Sequence, residues 1–460
     1  MQTQMTGLSV ASQNISNVNT TGYSRQRVQI SSSPDVTTGI GPEGNGADAT
    51  SIQQVVSNLL NTQIQSQSST SGYWTAQQTA LQNTQNALNE YLNGSGTTSS
   101  TSATSADTSG TGLSGQLSSL FSAFQNVATS PTSESARQQL IGAAQTVAAS
   151  LNNISTQFSN VKDSLNSSLK DDVTSANKLL TDIANLNKQI YTSEFSGGSA
   201  NTLRDQREQD LENLGKLTNF TTSTGTNGAV NITVGGETLV SGSSLSDTLQ
   251  TYDAGSGKYL VQTVTGGVNL TLTGGSMQGT IDARDGTLAT MQSSMDNIAA
   301  QLINTVNTAH DSGYSLTGTT GANFFNGINA STITVNAALA NDPSLIQASG
   351  TSTALGDNSA ALAMANLGTQ NITALGGKTF SGTYDASVAT LGSALGKANT
   401  QVTNQDTVSS MLATQRSSVS GVSLDEEMTN LLSFQRAYQA SASLVKTVDE
   451  LMTTTIGLKT

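Results

Sequence analysis

Two aspartates are spaced closely enough to suggest acid–base chemistry. Asp282 and Asp285 flank Arg284 in the segment IDARDG. Paired carboxylates of this kind hydrolyse glycosidic bonds, one acting as the acid and the other as a base or nucleophile. The segment lies at a predicted strand-to-helix junction, where an N-cap and a local arginine partner account for both aspartates. We therefore favour a structural role over a catalytic one.

A second acidic group, Asp425 to Glu427, could be taken for a set of metal ligands. It follows Ser423 directly, and Ser423 with Glu426 matches the S-x-x-E pattern of a capping box. Negative charge is also favoured in the first turn of a helix by the helix dipole. The pattern predicts a helix cap at Ser423 and Glu426, and no metal site.

The only histidine is His310, and the chain has no cysteine. These counts exclude disulfides, thiolate catalysis, and metal sites built from cysteines or several histidines. No nucleophile-elbow pattern accompanies the histidine. We interpret His310 as a helix-end residue beside Asp311 and Gly313. The residues thus predict no enzyme, no cofactor and no metal.

Composition narrows the choice of partners. The chain has 460 residues, of which 11% are charged, and a net charge of -13. Globular chains average about 25% charged residues. The basic residues are scattered, so we expect no nucleic acid and no membrane surface as partner. No apolar run approaches the length of a membrane span, and the first residues do not resemble a cleaved secretory signal.

The chain begins with a predicted amphipathic helix. Apolar residues recur there at spacings of three and four, which places them on one helix face. They are Met5, Leu8, Ala11, Ile15 and Val18. The segment NISNVNTTGYSRQ then ends the helix, and alternation after Gly22 predicts an extended arm.

The last predicted helix runs from Ser423 to the C-terminus and carries a second narrow apolar seam. Its apolar members include Leu424, Met428, Leu431, Tyr438, Val445 and Met452. Each terminal helix could simply pack against the nearest core, as most helical stripes do. However, the stripes are narrow and lie at opposite ends of the chain. We therefore predict that they pair with each other, and that further copies of the pair complete their burial.

The predicted fold class is mainly α with inserted β regions. We expect a terminal coiled-coil assembly domain (1–23 and 423–460) and a long helical rod domain (24–219, 283–312 and 383–422) with a flexible loop at 94–112. Glycine-separated β-type runs predict an inserted β domain at 220–282 and a glycine-rich β and loop region at 313–382. In the latter, STITVNAAL is predicted to be a strand. The rod contains a heptad seam from Leu140 to Leu165.

The terminal segments NISNVNTTGYSRQ and GVSLDEEMTNLLSFQRAYQASASLVKTVDELMTTTIGL resemble the axial proteins of the bacterial flagellum, and specifically the hook-associated protein 1 family. Three interior segments also resemble that family: FSAFQNVATSPTSESARQQLI, TLRDQREQDLENLGKLTNF and GTIDARDGTLATMQSSMDNIAAQLINTVNTAHDSGYSL. These segments are distributed along most of the chain, from Asn14 to Leu458. The GYSRQ continuation and the SGVSLDEEM helix start distinguish it from hook and rod proteins.

This resemblance implies a non-enzymatic structural subunit that is exported through the flagellar type III channel to the hook–filament junction. It implies a ring of copies between the hook protein and the second hook-associated junction protein, and a cytoplasmic chaperone bound to the C-terminal helix. The turn out of the terminal domain would be formed by Asn14, Asn17, Asn19, Gly22 and Tyr23. The family usually carries more helix before TGLSVASQN.

Other readings remain open at this stage. The chain could be another flagellar axial protein, such as a hook or second junction subunit. The Ser, Thr and Gly content also fits a secreted adhesin or glycan-binding protein, and scattered carboxylates leave a secreted hydrolase as a third class. We further expect the segments before about Ser24 and after about Ser423 to be disordered in the free subunit and to fold on assembly.

Overall fold

A computed structural model describes residues 1–88, 112–195, 197–225 and 228–458. The described fold is mainly helical with small antiparallel sheets, which confirms the predicted fold class. The predicted loop at 94–112 lies almost wholly outside these residues. The helices are α1 (Gln2–Ser16), α2 (Asn58–Leu88), α3 (Leu113–Thr129), α4 (Glu134–Phe195), α5 (Asn201–Leu217), α6 (Gly275–Asp282), α7 (Ala289–Asp311), α8 (Ala337–Asn341), α9 (Ser359–Asn366), α10 (Phe380–Ser420) and α11 (Leu424–Gly457).

Within the described residues the strands form five small sheets, all antiparallel. The strands are β1 (Gln26–Ser32), β2 (Val36–Thr38), β3 (Gly41–Glu43), β4 (Ala47–Gln54), β5 (Thr221–Thr224), β6 (Val230–Val234), β7 (Glu237–Ser241), β8 (Ser244–Leu245), β9 (Leu249–Asp253), β10 (Tyr259–Thr263), β11 (Phe325–Asn326) and β12 (Thr334–Val335). The four-stranded sheet has the order β5-β6-β7-β8, and the other sheets are pairs.

The rod is organised around α4, a continuous helix of 62 residues. Nothing between Glu134 and Phe195 breaks the helix. The heptad seam is buried as predicted, with Leu140, Leu151 and Phe158 fully covered. α3, α7 and α10 contribute to the same apolar cluster. The rod therefore buries its own apolar face within one subunit.

The segment 313–382 differs from its sequence prediction. In the predicted strand STITVNAAL only Thr334–Val335 is extended, and Ala337–Asn341 forms α8, with the Asn336 side chain capping its first turn. Apolar side chains of this segment, including Phe324 and Phe325, are fully buried in the rod cluster. The segment is therefore packed against the rod through its apolar residues, which glycine spacing alone did not reveal.

The β segment around 220–273 is attached to α4 by asparagine side chains as well as by apolar contacts. The Asn177 amide donates to the Leu249 carbonyl and accepts from the Leu249 amide, both at 2.8 Å. The Asn187 amide contacts both polar groups of the Val230 backbone in the same way. Each asparagine amide thus makes the backbone hydrogen bonds that a neighbouring strand would otherwise make with the first residue of β9 or β6.

Candidate assembly site at the paired termini

The two terminal helices pack against each other, as their apolar stripes predicted. Gly7 faces Phe434, and a Cβ atom at Gly7 would lie 2.7 Å from the phenylalanine ring. Asn14 lies against Glu427, one turn after the start of α11. Both pairs are separated by seven residues on each helix, so the helices run antiparallel in one register.

Asn14 is the centre of a buried polar cluster at the end of α1. Its Nδ2 donates to the Gln26 carbonyl at 2.8 Å and to Glu427 Oε2 at 3.0 Å. Its Oδ1 accepts from the Gln26 amide at 3.0 Å and from the Tyr23 hydroxyl at 2.8 Å. Asn14 is fully buried, and the full hydrogen-bonding capacity of its amide is used. This cluster holds α1, the arm and α11 together.

Arg25 ties the arm to the start of α11. Its Nε donates to Glu427 Oε1 at 2.8 Å, and its Nη1 lies 2.7 Å from Glu426 Oε2. The Arg25 amide also donates to the Ser420 carbonyl at the end of α10. Glu427 is only 3% exposed, so its charge depends on Arg25 and Asn14 for compensation.

Tyr23 contributes a stable donor to this cluster. Burial, with the nearby carboxylates of Asp205 and Glu427, raises the pKa of Tyr23 to about 12. The hydroxyl therefore stays protonated at physiological pH and keeps donating to Asn14. On the rod side, Asp205 accepts from the Ser24 amide and from Gln54 Nε2. Burial raises the pKa of Asp205 above its usual range.

The predicted capping box is wrong in its hydrogen bonds. Ser423 occupies the N-cap position of α11, but its side chain accepts no bond from the first turn. Glu426 points to Arg25 instead of returning to the Ser423 amide. The physical reason is the nearby arm, since its guanidinium offers a stronger, charge-assisted partner than the backbone amide. Glu426 and Glu427 thus join chain segments rather than capping one helix.

The other N-terminal residues singled out in the sequence lie at the helix end and in the turn after it. Asn17 Nδ2 donates to the Gln13 carbonyl, which helps to close α1. Asn19 is exposed, and Gly22 adopts a φ of 82°, where glycine is favoured. Leu8, Ile15 and Val18 are only half-buried. The buried face of α1 is instead Thr3, Gly7, Val10, Ala11 and Asn14.

The C-terminal seam is largely uncovered. Leu431 and Tyr438 are half-buried beside α1. The other four members are exposed: Leu424 by 46%, Met428 by 57%, Val445 by 56% and Met452 by 60%. Within the 34 residues of α11, Glu427 is the one buried residue. The pair therefore leaves most of its apolar surface in contact with solvent.

The register explains where this exposed surface lies. Extending it from Gly7 and Phe434 places Met1 level with Ala440. Beyond Ala440 the large apolar side chains of α11 are more than half exposed. They include Leu444, Val445, Val448, Leu451, Met452 and Ile456. We call the residues in this list the distal face of α11.

The carboxylates and histidine considered for catalysis have structural partners. Asp282 ends α6 and accepts from the Tyr73 hydroxyl at 2.8 Å, so the predicted strand-to-helix junction is wrong. Asp285 pairs with the buried Arg284. His310 lies in the last turn of α7 as predicted, buried between the Ala322 carbonyl and the Gln347 amide. Among the described residues there is no acidic, histidine or cysteine cluster that could hold a metal ion.

Arg25 and Glu427 were not predicted as a contact between the two termini. The available signal was one cation in GYSRQ and three consecutive acids in SLDEEM. A contact between charges at opposite ends of the chain can be predicted only once the two helices are known to pair. None of the described helices is long and apolar enough to cross a membrane.

Comparison with known proteins gives consistent results along the chain. The family described as the flagellar hook-associated protein FlgK helical domain matches residues 98–325, and the flagellar basal body rod FlgEFG protein C-terminal family matches residues 408–458. Flagellar hook-associated protein 1 of Bacillus subtilis (strain 168) is 28% identical, over 98% of this chain and 95% of that relative. The protein of the same name from Escherichia coli (strain K12) is 22% identical, over 98% and 97%.

Among solved structures, the flagellar hook junction protein FlgK from Burkholderia pseudomallei matches with a TM-score of 0.64. The match covers 79% of this chain and 100% of that chain at 18% identity, which supports a shared fold. Together with the paired termini, these matches define the class: the chain is a flagellar axial protein. Within that class it belongs to the flagellar hook-associated protein 1 family.

Proposed function

We propose that this chain is a structural subunit that joins the flagellar hook to the filament by self-assembly through its terminal helices. The observation that carries the proposal is the distal face of α11, an apolar seam that no described part of the subunit covers. Family membership supplies the setting, because the relatives are named hook-associated proteins.

Assembly would cover this seam with the same helices of neighbouring copies. Fully burying one large apolar side chain contributes about 1.5–3 kcal/mol. Six such residues line the distal face, so even partial burial offsets a substantial cost of association. A ring of identical subunits uses one contact repeatedly, so each added copy covers the seam of another.

Assembly through helices requires no catalytic group, and the relatives are named hook-associated proteins. We therefore propose a non-enzymatic protein. Its proposed partners are copies of itself, the hook protein on one side and the second hook-associated junction protein on the other. Before export through the type III channel, a cytoplasmic chaperone would cover the C-terminal helix. The exposed distal face gives the chaperone an apolar surface of the kind that binds helical partners. The assembled protein would be secreted and located at the hook–filament junction.

The test is electron microscopy of isolated hooks incubated with the protein. The informative variant is Leu451→Asp, because Leu451 is 62% exposed on the distal face of α11. Leu355→Asp is a matched control, since Leu355 is 48% exposed in the segment 313–382. We expect capped hook ends with the parent and the control, and bare ends with Leu451→Asp. Capped ends with Leu451→Asp would overturn assembly through the terminal helices.

A further inference from the structure

The four strands between Gln26 and Gln54 form a ribbon that extends beside the terminal helices. β1 pairs with β4 from Gln26 opposite Gln54 to Ser32 opposite Ala47, and β2 pairs with β3 at the tip. The tip is strongly exposed, with Ile40 exposed by 91% and Val36 by 50%. We call residues 36–43 the ribbon tip.

An isolated two-stranded ribbon is marginally stable in water, and its free edges can pair with another chain. The ribbon tip adds two large apolar side chains that nothing in the described part of the subunit covers. The turn from Thr37 to Pro42 has no charged residue, whereas Glu43 lies opposite Val36 and Asp35 precedes it. The turn around Ile40 is therefore the part of the ribbon tip that two acidic chains can approach with the least repulsion.

The ribbon is continuous with the paired termini. Its base meets the end of α1 through Asn14 and Gln26, and further along Thr3 Oγ1 donates to the Ala47 carbonyl at 2.7 Å. The ribbon therefore follows α1 toward the end at which the distal face of α11 is exposed.

The ribbon continues from Ala47, beside Thr3, through residues 44–46, which belong to no strand, to the paired strands β3 and β2. In the register of the terminal helices, α11 continues past the level of Thr3 by 19 residues, from Tyr438 to Gly457, or about 28 Å. Both carry exposed apolar side chains at the same end of the subunit.

We propose that the ribbon tip is a second contact between subunits, and that its occupant is another copy of this chain. The proposal rests on the proposed function, because the ribbon tip extends the same assembly surface as the distal face. In the assembly, Ile40 and Val36 are buried against a neighbouring copy, so that this copy covers the apolar side chains that one subunit leaves exposed.

The chain has no cysteine, so a single introduced thiol reports on one position. The test compares maleimide labelling of Ile40→Cys in the free subunit and in subunits bound to isolated hooks. Ile328→Cys is the control, since Ile328 is 78% exposed in the segment 313–382. We expect labelling at position 40 to slow on the order of tenfold on assembly, because a buried thiol reacts only after local opening. Labelling at position 328 stays unchanged. Equal labelling rates at position 40 in the free and bound states would overturn the proposal.

A second variant separates this proposal from the proposed function. Ile40→Asp places a charge on the ribbon tip without touching α11, and we expect fewer capped hooks than with Ile328→Asp. If Leu451→Asp leaves hooks bare while Ile40→Asp caps them like the parent, assembly through the helices stands and the ribbon contact is wrong. If the parent protein does not cap hooks, the proposed function fails, and the ribbon contact fails with it.

Discussion

The rod and the paired termini differ in how far one subunit buries their apolar side chains. In the rod, the stripe on α4 is covered by helices of the same subunit, and Phe124 and Phe158 are fully buried. In the terminal pair, α11 has one buried residue, and that residue is the charged Glu427. The rod is therefore complete as a monomer, whereas the terminal pair is held by a polar cluster at one end and exposes its seam.

This difference indicates how a subunit can have a stable folded rod while its terminal helices still have apolar surface available for assembly. Stability that comes from burial inside the rod does not depend on other copies. The terminal pair gains little from burial in one subunit, so it belongs to the low-stability end of the structure. Neighbouring copies supply the missing burial.

The largest effect on the free subunit should come from the rod. Phe124→Ala removes a fully buried ring that contacts Phe324 at a centroid distance of 5.3 Å. We expect a loss of about 3–5 kcal/mol in the free energy of unfolding, measured by urea denaturation. A loss below about 1 kcal/mol would contradict a self-contained rod core.

The free energy of unfolding of the rod should also depend on pH. Burial lowers the pKa of His310 to about 4 from its ordinary value of 6.5. The unfolded chain then binds more protons between these values, so the stability from neutral His310 is complete above pH 6.5 and is lost as pH falls toward 4. The full loss is on the order of 3 kcal/mol. Urea denaturation between pH 7 and pH 4 measures it.

Carboxylates also titrate in this range, so the comparison is with His310→Gln. That variant should lose less stability than the parent between pH 6.5 and pH 4. Parallel stability curves for the two proteins would show that His310 is not the group responsible.

A smaller effect is expected at the polar cluster. Glu427→Gln removes the charge that Arg25 and Asn14 contact, and should weaken the junction by about 1–3 kcal/mol. The readout is faster hydrogen exchange of the Arg25 amide, which donates to the Ser420 carbonyl. Glu426→Gln is the control, because the Glu426 side chain is 60% exposed. Equal effects of the two substitutions would contradict the assigned role of the buried carboxylate.

The smallest effect on the free subunit should come from the distal face. Leu451→Asp alters a side chain that is 62% exposed. We expect the free energy of unfolding of the monomer to change by at most about 0.5 kcal/mol, although assembly is lost. A large loss of monomer stability would mean that the distal face is covered within the subunit.

Sequence periodicity predicted the terminal pairing but only part of the buried face of α1, since Ala11 of the predicted stripe is buried. Met5 and Leu8 belong to the apolar stripe, yet Met5 is 57% exposed. The face toward α11 contains Gly7 and Asn14, a small residue that permits close approach and a polar residue that joins three segments. Hydrophobic spacing cannot mark such a face, since it detects apolar surface whether the subunit or its neighbours cover it.

The rod was more predictable because its burial follows local periodicity. The heptad seam of α4 is covered as expected. The attachment of the β segment was not predictable, because asparagines such as Asn177 and Asn187 find their backbone partners only in the folded chain. The same holds for Arg25 and Glu427, which lie 402 residues apart.

The most direct test is amide hydrogen exchange of the terminal segments in free subunits and in subunits bound to isolated hooks. We predict that the amides before about Ser24 and after about Ser423 exchange faster than the rod amides in the free subunit, and that the same terminal amides become strongly protected after assembly. The rod amides of α4 and α7 should be protected equally in both states. Slow exchange of the terminal amides already in the free subunit, unchanged on assembly, would contradict a terminal pair that other copies complete.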